Sequence, residues 1–478
     1  ASIYSHGKTM PVNVVIINPY ELGRQPFGIA HPAAWLRADG HQVACIDLAQ
    51  GRLDDAPIAD AQLIAIQLAM HTATRIAAEA LPKLRALAPN AHMCVYGLYG
   101  PVNEAWLKAR GITTVLGGEF EEELRALAGR IAAEKDSKSK TDSLVSAPHQ
   151  AGKRVEFRVP DRTDLAPLER HSRLRLADGT EKTMGFVDAT RGCKHVCRHC
   201  PVVPVYQGRF RAVPVDIVLA DIDQQVAAGA QHISFGDPDF FNGPTHAERI
   251  LRAMHERHPH LTFDAVIKIE HLLAEKSRLP LLKETGCEFI ISAVESVDDT
   301  ILEHLAKGHT REDFVATVAL MREHGVGLTP TFLAFTPWTT LEGYLDLLGM
   351  LVTLNLIDNV PAIQLAIRLL IPSGSYLLKL EGFNDLIEPF NPDALGYPWT
   401  HRDPRVDSLQ QAVMRAAERA DTEGQTRFEA FGDIWQLAHD ALNLEAPVLL
   451  RQMDVTPSQH TENWYCCAEP TTAQIEAL

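Results

Sequence analysis

Cysteine is scarce in this chain, eight residues in 478. That sparseness excludes a disulfide-stapled scaffold. Positive charge is also in deficit. Lys and Arg total 45 against 61 Asp and Glu, a formal charge of −16, which argues against non-specific grip on a phosphate backbone and so against nucleic acid as a partner. Long apolar runs are missing: no stretch reaches the ~18 residues of a membrane span. The longest, LLGMLVTLNLI at 347–357, is soon broken by Asp358, Asn359 and Pro361. The opening segment ASIYSHGKTM has neither the charged start nor the apolar run of a signal peptide. The expectation is a cytoplasmic protein with no membrane partner. No G-x-G-x-x-G follows the first apolar run, so a dinucleotide site is not expected. Apolar residues at 46% still suffice for real cores, and the length allows about three domains.

Residues 11–135 alternate short apolar runs with amphipathic stretches. VNVVIIN (12–18), HQVACIDL (41–48), AQLIAIQLA (61–69), HMCVYGL (92–98) and ITTVLGG (112–118) read as buried strands. Residues 72–88 and 121–135 are the clearest helical patterns between them. Five strands alternating with helices predict a doubly wound parallel α/β sheet, flavodoxin-like, over 1–135. Residues 136–183 open as a polar linker and lead to a second βα series. Its strands are expected at 185–190, 232–237, 262–269, 288–295, 326–335 and 362–371, with helices such as 215–229 and 311–325 between them. Six such units predict a partial (β/α)6 barrel over 184–380, whose chemistry gathers at the carboxyl ends of the strands. Residues 381–478 read as a mostly helical extension, with helices near 409–424 and 431–444 and an aperiodic tail.

Directly after the first barrel strand comes ATRGCKHVCRHCPVVP, with Cys193, Cys197 and Cys200 spaced C-x3-C-x2-C. Three soft thiolates on one loop suit an iron–sulfur cluster. A 4Fe–4S cluster wants four ligands, so one iron stays open, and an open position is the mark of a site that does chemistry. Zinc is the alternative, with His195 or His199 as the fourth ligand.

This segment resembles the radical S-adenosylmethionine superfamily, and the likeness extends over roughly 184–375. SFGDPDFF is similar to the second-strand motif, which implies Gly236 and Asp237 at the methionine amino group of S-adenosylmethionine. AVESVDD is similar to the ribose-contacting motif, implying Glu295 and Ser296. Lys307 in LEHLAKGHT stands where many members carry a lysine. FLAFTPWTT resembles the turn after the fifth strand, ending here at Pro337. Arg368 is implied as a contact for the methionine carboxylate. The sequence also departs from the pattern. His199 replaces the usual aromatic residue before the third cysteine, and its ring would face the adenine. Ala293 replaces a common glycine, and Pro238 an acidic residue. The resemblance implies a radical enzyme that holds a 4Fe–4S cluster and S-adenosylmethionine, with an external one-electron reductant such as a flavodoxin or ferredoxin. The N-terminal domain resembles that of the cobalamin-binding subclass, but the D-x-H-x-x-G motif for a lower axial histidine is absent from 11–135. Cobalamin binding and a purely structural domain both stay open.

Cys466 and Cys467 stand side by side in NWYCCAEP. Adjacent cysteines form a disulfide only through a strained ring, so a lasting bridge is not expected. Free, they are a soft chelating pair suited to trivalent arsenic; a redox role is the rival reading. This ending resembles a group of radical S-adenosylmethionine proteins with C-C-A-E-P tails, similar to the enzyme of arsinothricin biosynthesis. The resemblance implies transfer of the 3-amino-3-carboxypropyl group to arsenite, with Cys466 and Cys467 holding the metalloid and Cys287 as a candidate third ligand. Cys287 precedes a barrel strand, which places it at the far end and in the core; Cys45 and Cys94 lie within predicted strands and are also expected in the core. A cobalamin-dependent radical methyltransferase is the alternative, and a metalloid-binding protein with a structural cluster is a third reading.

Overall fold

The structure is a computed structural model that describes residues 11–51, 53, 55–134, 156–451 and 457–462. The chain divides into two compact units that meet in sequence between Pro167 and Leu168. No helix among the described residues is long and apolar enough to cross a membrane.

In the first unit, β1 (Asn13–Asn18), β2 (Gln42–Asp47), β3 (Leu63–Gln67), β4 (His92–Tyr96) and β5 (Thr114–Val115) form one parallel sheet in the order β2-β1-β3-β4-β5. This is the flavodoxin-like order, and the strand direction of travel reverses between β1 and β3. The central strands are covered on both faces, which is why they read as unbroken apolar runs. Val14, Ile16, Leu63, Ala65, Cys94 and Tyr96 pack with Ile29, Leu36 and Leu127 in one core. Cys94 is fully buried and the half-buried Cys45 packs against the same core, as the strand pattern predicts.

The second unit opens with β6 (Arg173–Arg175) and β7 (Glu181–Val187). β8 (Thr190–Gly192) and β9 (Phe210–Ala212) form a separate antiparallel hairpin. β10 (His232–Phe235), β11 (Thr262–Val266), β12 (Cys287–Glu295) and β13 (Gly327–Phe332) follow, and β14 (Gln459–His460) returns from the C-terminal region. The sheet order is β13-β12-β11-β10-β7-β6-β14. Parallel pairing runs from β7 to β13, while β6 is antiparallel to both of its neighbours. On a flat sheet β14 would lie about 19 Å from β11. Instead His460 Nε2 is 3.0 Å from Asp264 Oδ2. The sheet therefore curls into a half-barrel.

Local chemistry marks the flanking helices. Thr310 and Asp313 make a capping box for Arg311–Glu323, and Thr426 and Glu429 do the same for Arg427–Ala441. Asp403 caps Pro404–Glu423, with proline at the first helical position.

The sixth barrel strand expected at 362–371 is reduced to one parallel bridge, Phe335 with Arg368. Residues Ala362–Leu365 form a 3-10 turn instead. The side chain of Gln364 explains the shortening. Its Oε1 accepts from the Phe332 amide at 3.2 Å, the bond a sixth strand would otherwise supply.

Candidate functional site

The three-cysteine loop leaves β8 at Gly192 and is clamped on each side. Gly192 has φ +74°, and a Cβ there would lie 2.4 Å from the Tyr206 ring and 2.5 Å from the Arg209 carbonyl oxygen, so glycine is required. Asn242 holds both sides of the turn: Nδ2 donates to the Gly192 carbonyl at 3.1 Å, and Oδ1 accepts from the Lys194 amide at 3.1 Å. At the far side the Arg198 amide donates to the Leu305 carbonyl at 2.9 Å, and Ser375 Oγ donates to the Arg198 carbonyl at 3.1 Å.

Cys193 and Cys197 are buried and Cys200 is partly buried. Burial pushes the Cys193 thiol up to about 11, and burial with the neighbouring Cys197 pushes the Cys200 thiol up to about 12. Such thiols ionise only against a cation. The spread of the three sulfurs bears on which one. Ligand atoms on a single zinc ion lie roughly 3.3–3.8 Å apart. Among the described residues, the groups whose ligand atoms come within 4.8 Å of one another are His195–Asp239–His271 and His232–Asp264–His460, and the cysteines are not among them. The donor set suits a body larger than one ion. Neither histidine proposed as the fourth zinc ligand turns to the thiols. His195 Nε2 meets His271 Nε2 at 3.2 Å, and His199 Nε2 meets Glu295 Oε1 at 3.1 Å.

β12 delivers Glu295 by an irregularity. Its pairing with β13 slips between Ala293 and Glu295, and Glu295 takes φ +70°, a conformation that non-glycine residues seldom adopt. Glu295 is 8% exposed. Burial alone would raise its pKa, but the Lys307 ammonium at 3.4 Å and His199 hold it down at about 2. Lys307 is itself 3% exposed. Burial works against its charge, yet Glu295 and then Cys197 and Cys200 raise its pKa above the usual value. A buried ion pair thus stands beside the thiols, and His199 Nδ1 is left buried without a hydrogen-bond partner.

Residues 187–348 match the radical SAM superfamily. This segment is a radical S-adenosylmethionine domain. That family implies a 4Fe–4S cluster and S-adenosylmethionine as the cofactors. A tRNA-2-methylthio-N(6)-dimethylallyladenosine synthase from Fusobacterium nucleatum is 28% identical over 195 residues, covering 36% of this chain and 42% of that protein. The equivalent synthase from Deinococcus radiodurans is 26% identical over 203 residues, covering 37% and 36%. The match therefore spans less than half the length of these relatives. Among solved structures, the cobalamin-dependent S-adenosylmethionine radical enzyme OxsB with aqua-cobalamin bound superposes with TM-score 0.68 at 15% identity, covering 86% of this chain and 68% of that one. The radical S-adenosylmethionine methyltransferase TsrM from Kitasatospora setae, with tryptophan substrate and a SAM analogue bound, gives 0.56 at 18% identity, covering 72% and 71%. At such identities the likeness establishes the fold.

Within the radical SAM domain, the residues predicted from the motifs are distributed unevenly. His199, Glu295 and Lys307 come together beside the cysteine loop, and Ser296 follows, its Oγ accepting from the Asp298 amide at 3.1 Å. Gly236 offers only backbone, because a Cβ would lie 2.1 Å from the Phe186 ring. Asp237 is 1% exposed. Its Oδ2 accepts from the Ala189 amide at 3.0 Å and its Oδ1 from Thr190 Oγ1 at 2.5 Å, so it braces the approach to the loop from below. Burial, reinforced by Asp188, pushes its pKa up to about 7.

Arg368 is engaged by other partners. Its guanidinium pairs with Asp407 at 2.5 Å, donates to the Trp399 carbonyl and lies 3.5 Å over the Trp399 ring. Cys287 starts the nine-residue β12 that ends at Glu295, which separates them by about 26 Å. It is 3% exposed, and that position removes it as a third metalloid ligand beside the cluster loop. Cys466 and Cys467 lie outside the described residues.

The motifs did not disclose the polar network beneath the loop. His271 Nδ1 lies 2.7 Å from Asp239 Oδ2, and His195 Nδ1 lies 3.5 Å from Glu270 Oε2. Burial, then Lys268, lowers the His195 pKa to about 4. Asp239 was within reach of the sequence, two residues after Asp237, but His271 is 76 residues from His195 and carries no local signal.

Proposed function

We propose that this enzyme transfers the 3-amino-3-carboxypropyl group of S-adenosylmethionine to arsenite, forming the carbon–arsenic bond of an arsinothricin-type amino acid (hydroxyarsinothricin). The observation that carries the reading is one chain holding both the three-thiol loop of a radical SAM domain and the adjacent Cys466 and Cys467 of the C-C-A-E-P tail. Cys193, Cys197 and Cys200 would hold the cluster. When bound, it would supply the single electron that opens a carbon–sulfur bond of S-adenosylmethionine and take one electron back as arsenic reaches As(V), so that an external donor such as a flavodoxin or ferredoxin primes the reduced state and is not consumed at each turnover. Glu295 and Ser296 would take the ribose hydroxyls, with Lys307 and His199 keeping the carboxylate ionised. His199 would lie against the adenine, and the Gly236 backbone over Asp237 would meet the amino group. Arg368 enters this reading as a brace of the barrel's last segment.

The transfer balances without a net oxidant. The carbon–sulfur bond breaks and sulfur leaves as the thioether methylthioadenosine. The arsenic lone pair forms the new carbon–arsenic bond, taking As(III) to As(V) while the sulfonium is reduced. Cys466 and Cys467 would hold arsenic through two As–S bonds and release it to water with their protons restored.

A second reading is cobalamin-dependent radical methyl transfer to a small organic substrate. It draws support from the β2-β1-β3-β4-β5 sheet and from fold likeness to OxsB and TsrM, whose structures contain cobalamin.

Anaerobic reconstitution with iron, sulfide, S-adenosylmethionine, a reductant and arsenite separates the two. Methylthioadenosine together with an arsenic-bearing amino acid supports the first. S-adenosylhomocysteine or 5′-deoxyadenosine, with no arsenic in the product, would overturn it. Cys466→Ser is expected to retain uncoupled cleavage while losing the arsenic product.

A further inference from the structure

Away from the cluster loop, three ligand-type side chains from three distant segments converge inside the second unit. His232 is the first residue of β10, Asp264 lies on β11 and His460 on β14. His232 and Asp264 are 0% and 1% exposed. His460 Nε2 is 3.0 Å and His232 Nε2 3.5 Å from Asp264 Oδ2. Ligand atoms about 2.0–2.1 Å from a tetrahedral zinc ion stand roughly 3.3 Å apart, so these separations bracket the edge of such a site.

We propose that His232, Asp264 and His460 form a mononuclear divalent-metal site of the zinc class, separate from the iron–sulfur loop, that pins β14 into the curl of the half-barrel.

The outer contacts favour a metal ion over a simple hydrogen-bonded trio. Thr262 Oγ1 is 2.9 Å from His232 Nδ1 and also receives Lys182 Nζ at 3.1 Å, while the Gln231 carbonyl, 3.4 Å away, can only accept. Thr262 thus holds His232 through Nδ1 and leaves Nε2 turned toward Asp264. That Nε2 is fully buried and has no hydrogen-bond partner. It faces Asp264 Oδ2 at 3.5 Å, longer than an ordinary hydrogen bond and close to the ligand–ligand spacing around a bound cation. The other carboxylate oxygen accepts from Ser234 Oγ at 2.9 Å. Orienting contacts of this kind, a hydroxyl on the far side of His232 and another on that of Asp264, typify metal ligands. The N,N,O donor set without thiolate suits zinc-class ions better than the soft ions a thiol pair selects. His460 also lines a cavity of about 430 Å³ with Gln459, Arg427 and Asp358, which provides an entry path.

The proposal is independent of the reaction catalysed. His460 stands six residues ahead of Cys466 in sequence, so the ion would also fix the point from which the vicinal thiols are tethered.

The test is to incubate the full-length reconstituted protein with Zn²⁺, desalt it, and measure zinc and iron together with the zinc X-ray absorption fine structure. The expected result is about one zinc per chain beyond the cluster iron. Its first shell should contain only nitrogen and oxygen at roughly 2.0–2.1 Å, with imidazole scattering beyond and no sulfur near ~2.3 Å. His460→Ala and His232→Ala should each lose that zinc at unchanged iron content. No retained zinc, a sulfur-containing shell, or zinc retained by both variants would overturn the proposal. The wild-type spectrum decides the matter even if a variant fails to fold.

Discussion

His199 Nε2 lies 3.1 Å from Glu295 Oε1, joining the three-cysteine loop to the end of β12 across 96 residues of sequence. Lys307 Nζ reaches the same oxygen at 3.4 Å. The carboxylate is thus fixed in its ionised form by two partners, one on the loop and one on the segment after β12. Its positive φ aims it there at the expense of backbone strain, as is common where a side chain serves a site.

Lys307→Met should leave Glu295 as an uncompensated buried charge. Breaking a buried pair from one side costs about 3–5 kcal/mol. We expect a large fall in melting temperature, measured anaerobically, and partial recovery in the Glu295→Gln/Lys307→Met double variant. A single variant as stable as the parent would show that the pair does not hold this end of the strand.

Gly192→Ala should fail at the start of the cysteine loop. The added Cβ meets both the Tyr206 ring and the Arg209 carbonyl, and φ +74° disfavours alanine by about 1–2 kcal/mol before the overlap is counted. Iron content after reconstitution is expected to drop several-fold, while Gly179→Ala, also at positive φ but with open space around it, should load normally.

Asp237 sets a pH dependence. Its folded-state pKa of about 7 lies above the ordinary value of 3.8, with burial the first cause and Asp188 the second. Between roughly pH 4 and 7 the folded chain holds a proton that the unfolded chain has released, so stability falls as pH rises through that window. The shift corresponds to at most ~4 kcal/mol. Unfolding of wild type and Asp237→Asn at pH 5 and 7.5 should show a smaller pH response in the variant; equal responses would remove Asp237 as the source.

Arg368→Ala distinguishes a brace from a ligand contact. Loss of the Trp399 stack and the partly exposed Asp407 pair should lower stability by about 1–2 kcal/mol. KM for S-adenosylmethionine is expected to stay within about twofold. A tenfold rise in KM at unchanged stability would return Arg368 to the methionine carboxylate.

Local chain geometry explains what the sequence by itself determined. Cys193, Cys197 and Cys200 share one loop, so their spacing states the donor set directly. The parallel strands are buried on both faces, so their apolar runs announce both sheets and the alternation that makes the chain α/β. Cys94 was legible as core for the same reason. The tertiary structure alone decided what depends on the curl of the half-barrel and on positions far apart in sequence. It brought Glu295, His199 and Lys307 together and set Arg368 against Trp399 and Asp407. A glutamine side chain supplied the bond of a sixth strand. His460 was carried 196 residues back to Asp264. No periodicity encodes a contact of that kind, because side-chain convergence across a curved sheet is set by twist and closure and not by the order of residues along any one strand.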